Sequence, residues 1–252
     1  MDRIRHLPPV TRPAAEPLAR THSPRPAADY TAYRPCLRWD FGFTCAFCLV
    51  HETDLFPHGA DRTGLIWIEH RELRSRREDL TTDYGNCYLS CRFCNGARQD
   101  RPVVAADGRL LDPCADAWAR HFAAERDRLV PLPADPDAAR THRVYDLDDA
   151  RKVEMRRSRR ESVEEAVAVV REVPDLVRVL RASPALDALP SIVRERAADQ
   201  LLKRLRQAAH QLGIFAPVPS DAPPGCRCKA AQELPAFLQA QLLETAVPER
   251  TD

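Results

Sequence analysis

The sequence predicts an α+β protein with a mainly helical C-terminal region. Three observations carry that reading. Two Cys-x-x-Cys pairs, Cys45/Cys48 and Cys91/Cys94, bracket short apolar runs of strand character. The second pair runs into RFCNGARQD, which reads as the start of a helix. Towards the C-terminus apolar residues recur at helical spacing, most clearly over 190–213. Three regions are expected: a disordered Pro/Arg-rich arm at 1–33, an ordered domain at 34–160 and a helical region at 161–252.

The elements are expected in the following order. Residues 1–33 are rich in Pro, Ala and Arg with no sustained period. Leu37, Trp39, Phe41 and Phe43 alternate, which suggests an extended segment entering the first cysteine pair. LIWIEH (65–70) is a strand, RELRSRREDLTTD a polar surface loop, and NCYLSC (86–91) a second short strand. VVAADGRLLDP (103–113) reads as a hairpin about Asp107–Gly108. Residues 114–129 read as a helix, and 143–172 as a strand followed by a helix from near Asp148. Pro174 is expected to break that helix, with DLVRVLRA as a separate short one. Pro190 and Gly213 punctuate an amphipathic helix, and 233–246 forms a last, weaker one.

Composition narrows the function classes. Of 252 residues, 30% are charged, yet the formal net charge is only +1, which argues against a wholly basic nucleic-acid binder and leaves room for a local basic patch. No apolar run approaches the roughly 18 residues of a membrane span. The N-terminus has arginines but no apolar signal core. A cytoplasmic, reducing location is expected, with no membrane partner. There, nine cysteines point to metal ligation or burial rather than disulfides.

A Cys-x-x-Cys turn aims two thiolates at one ion, and two such turns complete a tetrahedral sulfur shell suited to Zn²⁺. Cys45, Cys48, Cys91 and Cys94 are therefore the expected ligands of a structural zinc with no open position. A thiol redox pair is the weaker reading, because a redox motif comes singly. Cys36, Cys87 and Cys114 are expected to be buried, and Cys226-x-Cys228 incidental. His51, His58 and His121 are expected to be loop or packing residues.

Between and beside the cysteines stand Glu69–His70, Asn86 and Asn95. An imidazole can take a proton near neutrality, and a carboxylate with an amide oxygen suits Mg²⁺ or Mn²⁺. With CAFC, IEH, YGNCYLSCRFCN and DLDDARKVEMRRSRR, residues 33–160 resemble the zinc-bound HNH endonucleases, the ββα-metal nucleases, and in particular a small bacterial branch. The resemblance implies a zinc-clipped ββα-metal core. His70 would be the general base, Glu69 and Asn95 would hold a catalytic Mg²⁺ or Mn²⁺, and Asn86 would fix the loop that orients His70. It implies hydrolysis of phosphodiesters in DNA to 5′-phosphate and 3′-hydroxyl ends. A role in phage defence or restriction, beside a protein partner such as an ATPase, also follows from the resemblance.

The chain departs from the pattern in three places. Glu69 stands where many relatives have Asp, HRELRSR lacks a customary proline, and Arg98 replaces a frequent lysine. Arg71, Arg74, Arg76, Arg77 and Arg98 are the expected phosphate contacts, and the basic run Arg151–Arg160 is a second candidate track. The alternative is a zinc-ribbon nucleic-acid-binding module without cleavage.

Overall fold

The computed structural model describes residues 15–20, 22–55, 66–186 and 188–213. The chain is α+β, with small two-stranded antiparallel sheets among helices. The described residues divide within one long helix into two compact units, one ending at Arg160 and one beginning at Glu161. Among the described residues no helix is long and apolar enough to cross a membrane.

In the first unit a 3-10 turn, Tyr30–Tyr33, leads into α1, Arg34–Asp40. The extended segment expected at 37–43 is thus helical over its first half. Tyr33, Leu37 and Phe41 recur every fourth residue and are buried on one face, and Pro35 suits the first turn of a helix. Strands β1 (Ile66–His70) and β2 (Cys87–Cys91) pair antiparallel, with Ile68 opposite Leu89 and His70 opposite Cys87. Helix α2 (Arg92–Arg98) follows without a break, and its first turn is capped by the Cys91 sulfur, which accepts the Cys94 N–H at 3.4 Å.

The hairpin about Asp107–Gly108 is present as β3 (Val104–Ala105) and β4 (Gly108–Arg109), with Gly108 at φ +123°. The helix expected over 114–129 is replaced by a 3-10 turn at Trp118–Arg120 and a hairpin, β5 (Phe122–Glu125) and β6 (Arg128–Pro131). Its turn is Arg126–Asp127, with Arg126 left-handed at φ +56° and no glycine to announce it. The strand expected at 143 is the end of α3, Pro136–Val144, which Asp135 caps and Pro136 opens.

Helix α4 runs from Ala150 to Ala182, straight through Pro174. A proline inside a helix costs about 3 kcal/mol. Val173 and Val177 beside it are buried in the apolar cluster of the second unit, with Ala166, Val170, Ala198, Leu205 and Ala208. That burial offsets the lost bond, so the break does not occur. Helix α5 occupies Ser191–Gly213 as expected. The expected helix at 233–246, Cys226-x-Cys228 and His58 lie outside the described residues.

The arm also differs from expectation over its described part. Arg20 donates to the carbonyls of Tyr84 (2.8 Å) and Cys87 (2.7 Å) and lies over the rings of Phe41, Tyr84 and Tyr88. Leu18, Ala27 and Tyr30 pack on the core. Cation–π contacts and buried carbonyl acceptors fix a segment that composition alone marks as loose.

Candidate metal centre and adjoining polar cluster

Local backbone geometry builds each half of the cysteine cluster. Around the first pair, the Cys45 N–H donates to Val50 O (2.8 Å) and the Leu49 N–H to Cys45 O (3.1 Å), with Leu49 left-handed at φ +63°. The Ala46 N–H donates to Leu89 O (2.9 Å), which fastens this turn to β2 beside the second pair. The four sulfurs of Cys45, Cys48, Cys91 and Cys94 come within 4.8 Å of one another, and all four residues are buried. Burial pushes the Cys48 and Cys94 thiols up. Cys45 is held below the ordinary thiol range: burial opposes its charge, but hydrogen bonds from the other three cysteines outweigh it. Four buried thiols so close together can hold a zinc ion, and as a closed all-sulfur set they leave no position for a substrate.

Next to this cluster, β1 ends in Glu69–His70. Glu69 is buried and accepts from Asn95 Nδ2 (2.6 Å) and Arg98 Nη1 (2.7 Å), both on α2. Burial pushes its carboxyl up to about 7, against the downward pull of Arg98 and Asn95. Asn95 meets Glu69 through its amide nitrogen and Arg98 takes the other carboxylate oxygen, so both Glu69 oxygens already accept hydrogen bonds.

His70 is buried, its Nε2 lies 3.0 Å from Thr81 O, and Tyr30 packs edge-on to the ring at 4.6 Å. Burial, with Arg74 and Arg98 nearby, holds the imidazole below its ordinary pKa, so it is neutral at neutral pH. A carbonyl only accepts, so Nε2 carries the proton and Nδ1 keeps its lone pair. The carbonyl comes from a loop that Asn86 closes. Asn86 Oδ1 accepts from the Glu72 N–H (2.7 Å), and Nδ2 donates to Glu72 O (3.0 Å) and Leu80 O (3.1 Å). Asn86 therefore makes three bonds that fix the path from His70 to Thr81.

The arginines separate sharply. Arg98, expected on phosphate, is 1% exposed and spends its donors on Glu69 and the carbonyls of His70, Arg71 and Arg101. It is an internal strut, not a surface contact. Arg71 is half-buried, facing Asp112 at 3.4 Å. Arg77 pairs with Asp79 at 2.6 Å. Arg74 and Arg76 are exposed, and Arg74 lies over the Tyr30 ring. Within the expected track at Arg151–Arg160, Lys152, Arg156 and Arg159 are buried, and Arg159 and Arg160 pair with Asp54 (2.7 Å) and Asp127 (2.9 Å).

Reading the sequence missed two groups: Tyr30 on His70, and the buried cations of α4. Tyr30 lies in a segment of arm-like composition, and a basic run resembles a solvated face. His121, which the sequence left unpartnered, bonds Asp135 at 2.7 Å, and His51 is buried against Phe43. No family model, curated protein or solved structure matches the chain.

Proposed function

We propose that the chain is a metal-dependent endonuclease of the HNH type, hydrolysing phosphodiester bonds in DNA. One observation carries the reading. Asn95 on α2 bonds Glu69 at the end of β1, His70 follows Glu69 in the chain, and Asn86 closes the loop that supplies the carbonyl to His70. In that reading β1, β2 and α2 would form the ββα-metal core. The cysteine set, loaded with zinc, holds the start of α2 and so presents Asn95.

In this reading His70 Nδ1 takes a proton from water, and the resulting hydroxide attacks phosphorus. The bond to the 3′ oxygen breaks and that oxygen takes a proton from solvent water, leaving a 5′-phosphate and a 3′-hydroxyl. A Mg²⁺ or Mn²⁺ ion, held by Glu69 and Asn95, would neutralise charge developing on the phosphate and the leaving oxygen. Tyr30 and the Thr81 carbonyl keep the imidazole ring in place. Arg74, Arg76 and Arg77 are the exposed arginines of the loop, and of these Arg77 is paired with Asp79, so Arg74 and Arg76 are the ones assigned to backbone phosphates.

One observation favours a second reading, a zinc-ribbon module that binds nucleic acid without cutting it: Arg98 already neutralises Glu69. The two readings part on supercoiled plasmid with and without Mg²⁺ or Mn²⁺. The nuclease nicks or linearises it only with the ion, and His70→Ala lowers the rate by about 10²–10⁴-fold with zinc retained. A folded, zinc-loaded wild type that binds plasmid and never cuts it would establish the binding module.

A further inference from the structure

Two cations that the proposed reaction does not use lie inside the first unit. Lys152 and Arg156 are each 1% exposed and stand four residues apart on α4, hence on one face. Among the described residues no carboxylate forms an ion pair with either, although the Asp127 and Asp148 carboxylates lie near enough to act on Arg156. Both are bonded instead to the backbone around the cysteine cluster. Arg156 Nη1 donates to the carbonyl of Cys48 at 3.0 Å, and its other nitrogens donate to Asp127 O (2.7 Å) and Leu147 O (3.0 Å). Lys152 Nζ donates to Tyr145 O at 2.6 Å and Asp146 O at 2.9 Å, and the Cys94 sulfur lies 3.9 Å from that same Tyr145 oxygen.

A buried charge without a partner costs several kcal/mol and does not persist. Four thiolates around one Zn²⁺ carry two surplus negative charges. Two buried cations beside them restore neutrality.

We propose that Lys152 and Arg156 are the counter-charge of the zinc–tetrathiolate cluster and set how tightly it holds its ion. They are positioning residues that act through the cluster, not catalytic ones. The inference rests on the zinc reading of the four cysteines and is independent of the nuclease reading.

The test uses the full chain in four variants: K152M and R156M, which remove a charge, and K152R and R156K, which keep it. Zinc affinity is measured by competition with a chromophoric chelator. Cobalt-loaded protein then reports the sulfur-to-metal charge-transfer band. Each charge-removing variant should bind zinc about 10–100-fold more weakly. Its cobalt band should move to longer wavelength, because an electron leaves a thiolate more easily with no cation beside it. The charge-keeping variants should stay close to wild type in both. A loss of packing alone would weaken binding without moving the band.

Affinities and bands that do not follow charge overturn the proposal. If a charge-removing variant fails to fold with zinc and its charge-keeping partner folds, the result counts in favour; if both fail, it counts against. Wild type that binds no zinc overturns the zinc reading, and this inference with it.

Discussion

The unit ending at Arg160 and the helical unit beginning at Glu161 are held together by opposite means. Among the described residues, the buried side chains of the second unit are all apolar: Ala166, Val170, Val173, Val177, Ala198, Leu205 and Ala208. The first unit buries Glu69, His70, Asn86, Arg98, Lys152, Arg156 and Arg159 beside its apolar core. An apolar seam tolerates small shifts, because dispersion and the hydrophobic effect have no strict direction. Buried charges do not, since each needs partners at set distances. The first unit thus gives up apolar burial for fixed geometry, which the proposed site would require and a helix pair does not.

The largest way to break that contrast is to strip zinc from the four cysteines that can hold it. Structural zinc contributes roughly 10–16 kcal/mol in small folded modules. Chelation should therefore release amide protection throughout β1, β2 and α2 while 163–205 stays protected, as read by hydrogen exchange. Equal loss in both units would show that the second depends on the first.

Next come single residues. Arg98→Met leaves Glu69 buried without its cation, at a cost of roughly 3–5 kcal/mol. Leu205→Ala opens a cavity in the helical seam at a cost of roughly 2–5 kcal/mol. The losses in chemical denaturation should be of similar size, but plasmid cleavage should fall only with the first. A cleavage defect in Leu205→Ala would blur the division of labour.

The smallest effect is in pH. Glu69 is raised by burial from 4.5 to about 7, so its contribution to stability is complete below about 4.5 and is lost as pH rises through about 7. A divalent ion binds the ionised form. At limiting Mg²⁺, cleavage should therefore decline as pH falls below about 7, and more Mg²⁺ should move that limb to lower pH. His70 is also held below its ordinary value, by burial first, so its protonation falls on the acid side of that limb. A limb that ignores Mg²⁺ would remove Glu69 from the metal site.

What was legible in the sequence was local. The spacing of Cys45, Cys48, Cys91 and Cys94, the apolar run before Glu69 and the helical period of α5 each declare themselves within a few residues; the cysteines gather, β1 and α5 form, and of the α5 stripe Leu205 is buried while Ile192 is exposed. The extended reading of 37–43 failed because Tyr33, Leu37 and Phe41 also satisfy a helical period. The β5–β6 hairpin was illegible because its turn, Arg126–Asp127, is fixed by distant cations: Arg156 holds the Asp127 carbonyl and Arg160 its carboxylate. For the same reason the basic run of α4 read as a solvated face. Whether an arginine is buried depends on acceptors that come together only in the folded chain.

The loop from Arg71 to Asn86 closes on itself through one amide side chain, and its middle, Arg74–Asp79, faces solvent. Its two ends are therefore set independently of what lies between them. Doubling the length of such a loop costs only about 0.6 kcal/mol in closure entropy. This segment is where the protein can take on new sequence, such as a recognition element, a reporter or an added arginine, while His70 keeps its bond to Thr81. In the nuclease reading, Asn86 would thereby separate the chemistry of the site from the choice of what the site is brought to.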